Sequence, residues 1–181
     1  MSNNEIDPPA PSSKNADGIY EPFDIAQVPV ESFSRGERFE MRWQHLSSYG
    51  GGTQIGVAVE TLAPGKQTNQ AHYHLLEEEH VFILEGELTA RLGDKHHVMK
   101  AGHYVCFPAG QKAAHTLINH SDAPCRYVLI GNTQPHDVIF YPDTQRVGVK
   151  LAGQSFRSTA TMAYWDDVVT DQAPEIPRSS A

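Results

Sequence analysis

The stretch His72-Tyr73-His74-Leu75-Leu76-Glu77-Glu78-Glu79-His80-Val81-Phe82-Ile83-Leu84-Glu85-Gly86 decides how this chain is read. On an extended backbone, residues two apart project from one face, so His72 and His74 aim their imidazoles at the same point while Tyr73 faces away. A short polar turn follows, and Glu79 opens a run of strand formers closed by Gly86. Antiparallel pairing would bring the Glu79 carboxylate alongside the two rings, and His115, on a later strand-like run, supplies a third imidazole. The competing reading makes these residues solvent-facing strand positions, and a register shift of one would put Glu78 in place of Glu79. Polar surface residues seldom fall into such a donor pattern, so a mixed imidazole and carboxylate metal site is expected.

Working outward, the chain from Thr53 breaks into short strand-like runs. They are QIGVAVETL (54–62), HVFILEG (80–86), ELTARLG (87–93), HVM (97–99), YVCFP (104–108), HTLIN (115–119), CRYVLIG (125–131) and DVIFYP (137–142). Pro64-Gly65, Glu85-Gly86, Gly93-Asp94, Gly102, Pro108 with Gly110, and Ser121-Asp122 punctuate them, each a residue type that tightens or reverses the backbone. Many short strands with tight turns predict an all-β, double-wound antiparallel barrel. Residues 1–19 are rich in Pro, Ser, Asn and Asp with little to bury, and a disordered arm is expected there. Residues 20–50 read as a strand-bearing lead-in, 51–145 as the barrel, and 146–181 as a last strand and tail. No repeat of the whole unit occurs, so one barrel is expected.

The 181 residues carry 14 Lys and Arg against 22 Asp and Glu, a formal charge of −8. Such a balance disfavours nucleic acid and acidic membranes, since both need cationic neutralisation. A small molecule is the expected partner. With no signal-like leader and no long uncharged apolar run, a cytoplasmic protein is expected. Cys106 and Cys125 lack zinc-ligand spacing and are expected to be free thiols in a reducing compartment. Strands such as HVFILEG and YVCFP are apolar on both faces, which predicts an outer sheet face covered by a second copy in a homodimer.

The spacing of these residues resembles the two motifs of the cupin superfamily. His72, His74, Glu79 and Gly86 match the first, and Gly102, Pro108, Gly110, His115 and Asn119 the second; four residues, Gln111 to Ala114, stand between Gly110 and His115 where two are usual. The resemblance implies a cupin double-stranded β-helix, or jelly-roll barrel, with an irregular N-terminal arm. It also implies one divalent ion, Zn, Fe, Mn, Ni or Cu, held by His72, His74, Glu79 and His115. The runs PAGQKAAHTLINHSDAPCRYVLIGN (108–132) and DVIFYPD (137–143) look like those of small single-domain bacterial cupins named as sugar-phosphate isomerases.

A metal-dependent enzyme acting on a sugar or sugar phosphate is therefore the favoured expectation. A dioxygenase or lyase is the alternative, and a non-catalytic small-ligand module the third reading. His103 and Tyr104, entering the second motif, are candidates to line the cavity as catalytic groups. His80, next to Glu79, should face away from the ion. His96, His97, His120 and His136 read as surface residues. Arg42, Lys66, Arg91, Lys112 and Arg126 are the cations available to a phosphate, though Arg91 shares a strand face with polar Glu87 and Thr89.

Overall fold

The structure, a computed structural model, describes residues 10–164 and 166–168. Among these residues thirteen strands occur in chain order: β1 (Glu31–Arg35), β2 (Phe39–His45), β3 (Ile55–Leu62), β4 (Tyr73–His74), β5 (Glu79–Glu85), β6 (Glu87–Leu92), β7 (Lys95–Lys100), β8 (Tyr104–Phe107), β9 (His115–Ile118), β10 (Cys125–Asn132), β11 (Val138–Tyr141), β12 (Arg146–Val149) and β13 (Gln154–Arg157). The strand-former runs predicted this alternation of short strands and turns, and the chain is all-β as expected.

One layer is a six-stranded sheet in the order β1-β2-β3-β10-β5-β8. The opposing layer consists of a three-stranded sheet, β7-β6-β9, and a four-stranded sheet, β13-β12-β11-β4. A single antiparallel bridge between His72 and His115 joins these two pieces. Side chains alternate along each strand, so Val81 and Ile83 of β5, Leu62 of β3, Leu88 of β6, Phe107 of β8, Leu117 of β9 and Tyr127 of β10 all reach one core between the layers.

Two motif residues serve the frame. Gly86 turns the chain from β5 into β6 at φ 78°, and a Cβ there would stand 2.8 Å from the Pro124 carbonyl oxygen. No other residue fits such an approach at positive φ. Asn119 is fully buried. Its amide donates to Leu62 O and Ala123 O, both at 2.8 Å, and its carbonyl accepts from Ser121, so it pins the exit of β9 to the end of β3.

In the lead-in, β1 and β2 form a hairpin that extends the six-stranded sheet beyond β3. Gln44 ties the preceding segment to it, donating to Ile25 O and Val28 O. Of the N-terminal arm, residues 1–9 lie outside the described residues, and Ser13 N–H donates to Tyr49 O at 2.9 Å. At the other end, β12 and β13 add two strands to β11, and the tail beyond residue 168 is not among the described residues. Among the described residues no helix is long and apolar enough to cross a membrane.

Candidate metal centre

The site is built across the two layers. His72 and His115 form a hydrogen-bonded antiparallel pair, which places both side chains on one face, and His74 shares that face two residues on. Glu79 comes from the opposite layer, on β5, where it pairs with Phe107 and Gly131. All three imidazoles turn Nε2 toward Glu79 Oε2, at 2.8 Å from His115, 3.7 Å from His74 and 3.9 Å from His72. Ligands about 2.1 Å from a shared ion lie about 3–3.5 Å from one another, so these side chains form a candidate metal site.

The outer nitrogens are already committed. His72 Nδ1 lies 2.9 Å from Gln70 O, an acceptor only, so Nδ1 carries the proton and Nε2 offers its lone pair inward. Burial first, and then the neighbouring imidazoles, push the His72 ring down to about 4, so it is neutral at pH 7. His74 Nδ1 lies 2.5 Å from Oδ2 of Asp137. Asp137 is fully buried, and its other oxygen accepts from Leu76 N–H at 2.8 Å. Burial would raise the Asp137 carboxyl, but these hydrogen bonds outweigh it and hold the group below its ordinary range. Burial likewise works to raise Glu79, yet the His115 hydrogen bond and the imidazole neighbours hold it at about 2. Phe107 stacks on the His115 ring with centroids 3.8 Å apart, fixing its orientation.

Beside the ligands lies a cavity of about 60 Å³ lined by His72, Glu79 and His115 together with Glu60, Tyr127, Thr68, Asn69, Thr116 and apolar side chains. Glu60 is 5% exposed. Its Oε2 accepts from the Tyr127 hydroxyl at 2.6 Å. Burial above all, with the Glu79 charge adding and the Tyr127 bond opposing, raises Glu60 to about 7.

His72, His74, Glu79 and His115, the ligands expected from the sequence, thus have their side chains brought together. Glu79 and not Glu78 is the inward carboxylate; Glu78 turns outward to His80, Oε1 to Nε2 at 3.0 Å. The extra residues between Gly110 and His115 do not misdirect His115. The catalytic candidates His103 and Tyr104 are not brought to the site: Tyr104 is 58% exposed and bonds His80 Nδ1 at 2.6 Å, and His103 is exposed. Strand parity explains this, since Phe107 and Val105 of β8 face inward and Tyr104 must then face out. His96, His97, His120 and His136 are exposed as expected.

Three polar residues of the site were missed. Asp137 gave no local signal, being distant in sequence from the histidine it orients. Glu60 did give one: it interrupts the apolar run Val57-Ala58-Val59 at an inward position shared with Ala58 and Leu62. Tyr127 reads as an ordinary apolar strand residue. None of the five cations lines the cavity. Arg91 is held by both oxygens of Asp143, Arg126 by Glu85 and Lys66 by Glu40.

Comparison with known proteins agrees with this architecture. The cupin domain family matches residues 58–131. Among solved structures, a sugar phosphate isomerase of the cupin superfamily from Silicibacter pomeroyi is similar at 25% identity and TM-score 0.70, over 78% of this chain and 95% of that one. A protein from Acidithiobacillus ferrooxidans, whose name as a sugar phosphate isomerase is provisional, superposes with TM-score 0.71 at 22% identity, over 77% and 91% of the two chains. A protein from Thermotoga maritima, named as a predicted oxalate decarboxylase, shares the fold at 23% identity and TM-score 0.53, over 61% and 97%. No curated protein matches the chain in sequence. Four donors converging from two facing sheets, the family match that spans β3 to β10, and these structural likenesses together make residues 58–131 a cupin domain and give the chain the cupin fold.

Proposed function

We propose that this protein is a metal-dependent enzyme with isomerase-like chemistry on a small oxygenated molecule such as a sugar or sugar phosphate. The observation that carries the reading is the asymmetry of the ligand set. Three imidazole side chains are 7–9% exposed, whereas Glu79 is 23% exposed and opens onto a cavity that holds a second carboxyl. A purely structural site is closed on all sides, while a catalytic one keeps a position open. A bound divalent ion supplies positive charge that polarises a substrate oxygen and stabilises negative charge developing beside it.

The chain's own residues set what enters. The enclosed part of the cavity, about 60 Å³, is on the scale of a few water-sized groups beside the ligands. No Lys or Arg is among the residues that line the cavity, so it suits the hydroxyl- and carbonyl-bearing end of a substrate better than a phosphate. The names of the neighbours from S. pomeroyi and A. ferrooxidans support the substrate class.

Glu79→Gln tests the reading, because it keeps the side-chain shape and removes its charge. Sugars, sugar phosphates and keto acids are first screened for thermal stabilisation of the metal-loaded protein. Turnover of the best stabiliser is expected to fall far more than its binding. If wild type converts no stabiliser with zinc, iron, manganese or nickel supplied, the enzyme reading gives way to a binding module.

We propose as well that the protein works in the cytoplasm and as a homodimer. Free Cys106 and Cys125 support a reducing compartment. Exposed Ile55, Phe82 and Tyr104, which share the outer face of the six-stranded sheet, support a covering second copy.

A further inference from the structure

We infer that Glu60, positioned by Tyr127, is the group that removes and returns a carbon-bound proton of the substrate, and that the substrates are small compounds with a hydroxyl next to a carbonyl. This rests on the isomerase-like reading above. Glu60 lines the same cavity as His72, Glu79 and His115, yet it forms no hydrogen bond or ion pair with the four metal ligands.

Comparison with Asp137 separates a proton-transfer role from a structural one. Both carboxyls are buried, but Asp137 has both oxygens bonded, to His74 and Leu76. Glu60 has one: Tyr127 donates to Oε2, and among the described residues Oε1 has no hydrogen-bond partner. A carboxylate oxygen in a largely enclosed residue, left without a protein donor, is open to water or a ligand. Here it faces the cavity. From the flanking strands, Tyr127 of β10 and Trp43 of β2 stand opposite Glu60, Glu79 lies across the cavity, and no Lys or Arg lines it. With no cation beside it and only the Tyr127 bond favouring its charged form, burial raises the group to about 7, a value suited to giving and taking a proton near neutrality.

The chemistry balances without a co-reactant. The Glu60 carboxylate takes the proton from the hydroxyl-bearing carbon. The electron pair of that C–H bond becomes the carbon–carbon double bond, and the carbonyl π pair moves onto its oxygen, giving an enediolate. Glu60 then returns the proton to the former carbonyl carbon while the hydroxyl proton passes to the other oxygen. Aldose and ketose interconvert with no net oxidation. Tyr127, fully buried, is a positioning residue.

The test uses the full-length protein in D₂O with manganese or zinc, and dihydroxyacetone, glyceraldehyde and hydroxypyruvate as probes. Deuterium incorporation at carbon is followed by NMR, and the protonated-carboxyl band by infrared spectroscopy in the metal-free protein. Glu60→Gln should keep its metal, lose a carboxyl band that titrates near neutrality, and exchange at least ~100-fold more slowly. Tyr127→Phe should still exchange, with its pH midpoint moved upward because the bond that favours the carboxylate is gone. Equal exchange by wild type and Glu60→Gln, or a carboxyl band unchanged in the variant, overturns the role of Glu60 and leaves the isomerase-like reading standing. Exchange of none of the probes by wild type overturns proton transfer itself, while conversion of a stabilising ligand is still measured by the Glu79→Gln experiment. If Glu60→Gln fails to fold, an unmoved midpoint in Tyr127→Phe overturns the inference.

Discussion

His72 and His115 exchange both backbone hydrogen bonds, His72 N–H to His115 O at 3.1 Å and His115 N–H to His72 O at 2.7 Å, across the bridge that joins the two pieces of one sheet layer. Closure of that layer and delivery of two imidazoles to one point are therefore the same contact. Because the bonds are main-chain, His115→Ala should keep the layer closed and yet lose an ion ligand. Metal retained after dialysis should fall by at least ~100-fold in affinity terms, whereas His97→Ala, on the exposed face, should match wild type. Elemental analysis of the variants checks this, and undiminished metal in His115→Ala would refute the ligand set.

Asp137 holds His74 Nδ1 and so aims its Nε2 inward toward Glu79. Asp137→Asn should weaken metal binding by about 10–100-fold, the usual effect of losing a partner behind a ligand. Calorimetric titration with zinc at constant pH measures the change. An affinity equal to that of wild type would show that the pairing does not tune the site.

Glu60 makes stability depend on pH in a defined direction. Its ordinary value of 4.5 in the unfolded chain rises to about 7 on folding, so the folded state favours the protonated form. The stability it allows is fully present below pH 4.5 and is lost as pH rises through about 7, a loss of roughly 3 kcal/mol at about 1.4 kcal/mol per unit. In Glu60→Gln this component should vanish. Urea denaturation of the metal-free proteins at about pH 5 and pH 8 gives the comparison, and an identical slope in both would contradict the buried, uncompensated carboxyl.

The outer face of the six-stranded sheet predicts assembly. Phe82 and Tyr104 face each other across β5 and β8 and are 41% and 58% exposed. Light scattering should give twice the chain mass for wild type, and Phe82→Glu, which puts a charge into the proposed contact, should give the monomer mass. A monomeric wild type at micromolar concentration would remove the dimer from the account.

Features that repeat locally are legible in the order of residues. Period-two alternation and turn residues specified an all-β chain, and parity put His72 and His74 on one face, but the turn before Glu79 left Glu78 open as the carboxylate. Once β5 begins at Glu79, parity with Val81 and Ile83 turns Glu79 inward, and in β8 the same parity puts Tyr104 on the wrong face for the site although it lies in a motif segment. Tertiary structure alone decided the long-range pairs. Asp137 reaches His74 across 63 positions and Tyr127 reaches Glu60 across 67. Neither pairing leaves a periodic trace, because it arises from which strands the fold lays side by side. Burial had the same origin: Glu60 carries the same carboxyl as the exposed Glu85, and only enclosure between two sheets raises it toward neutrality.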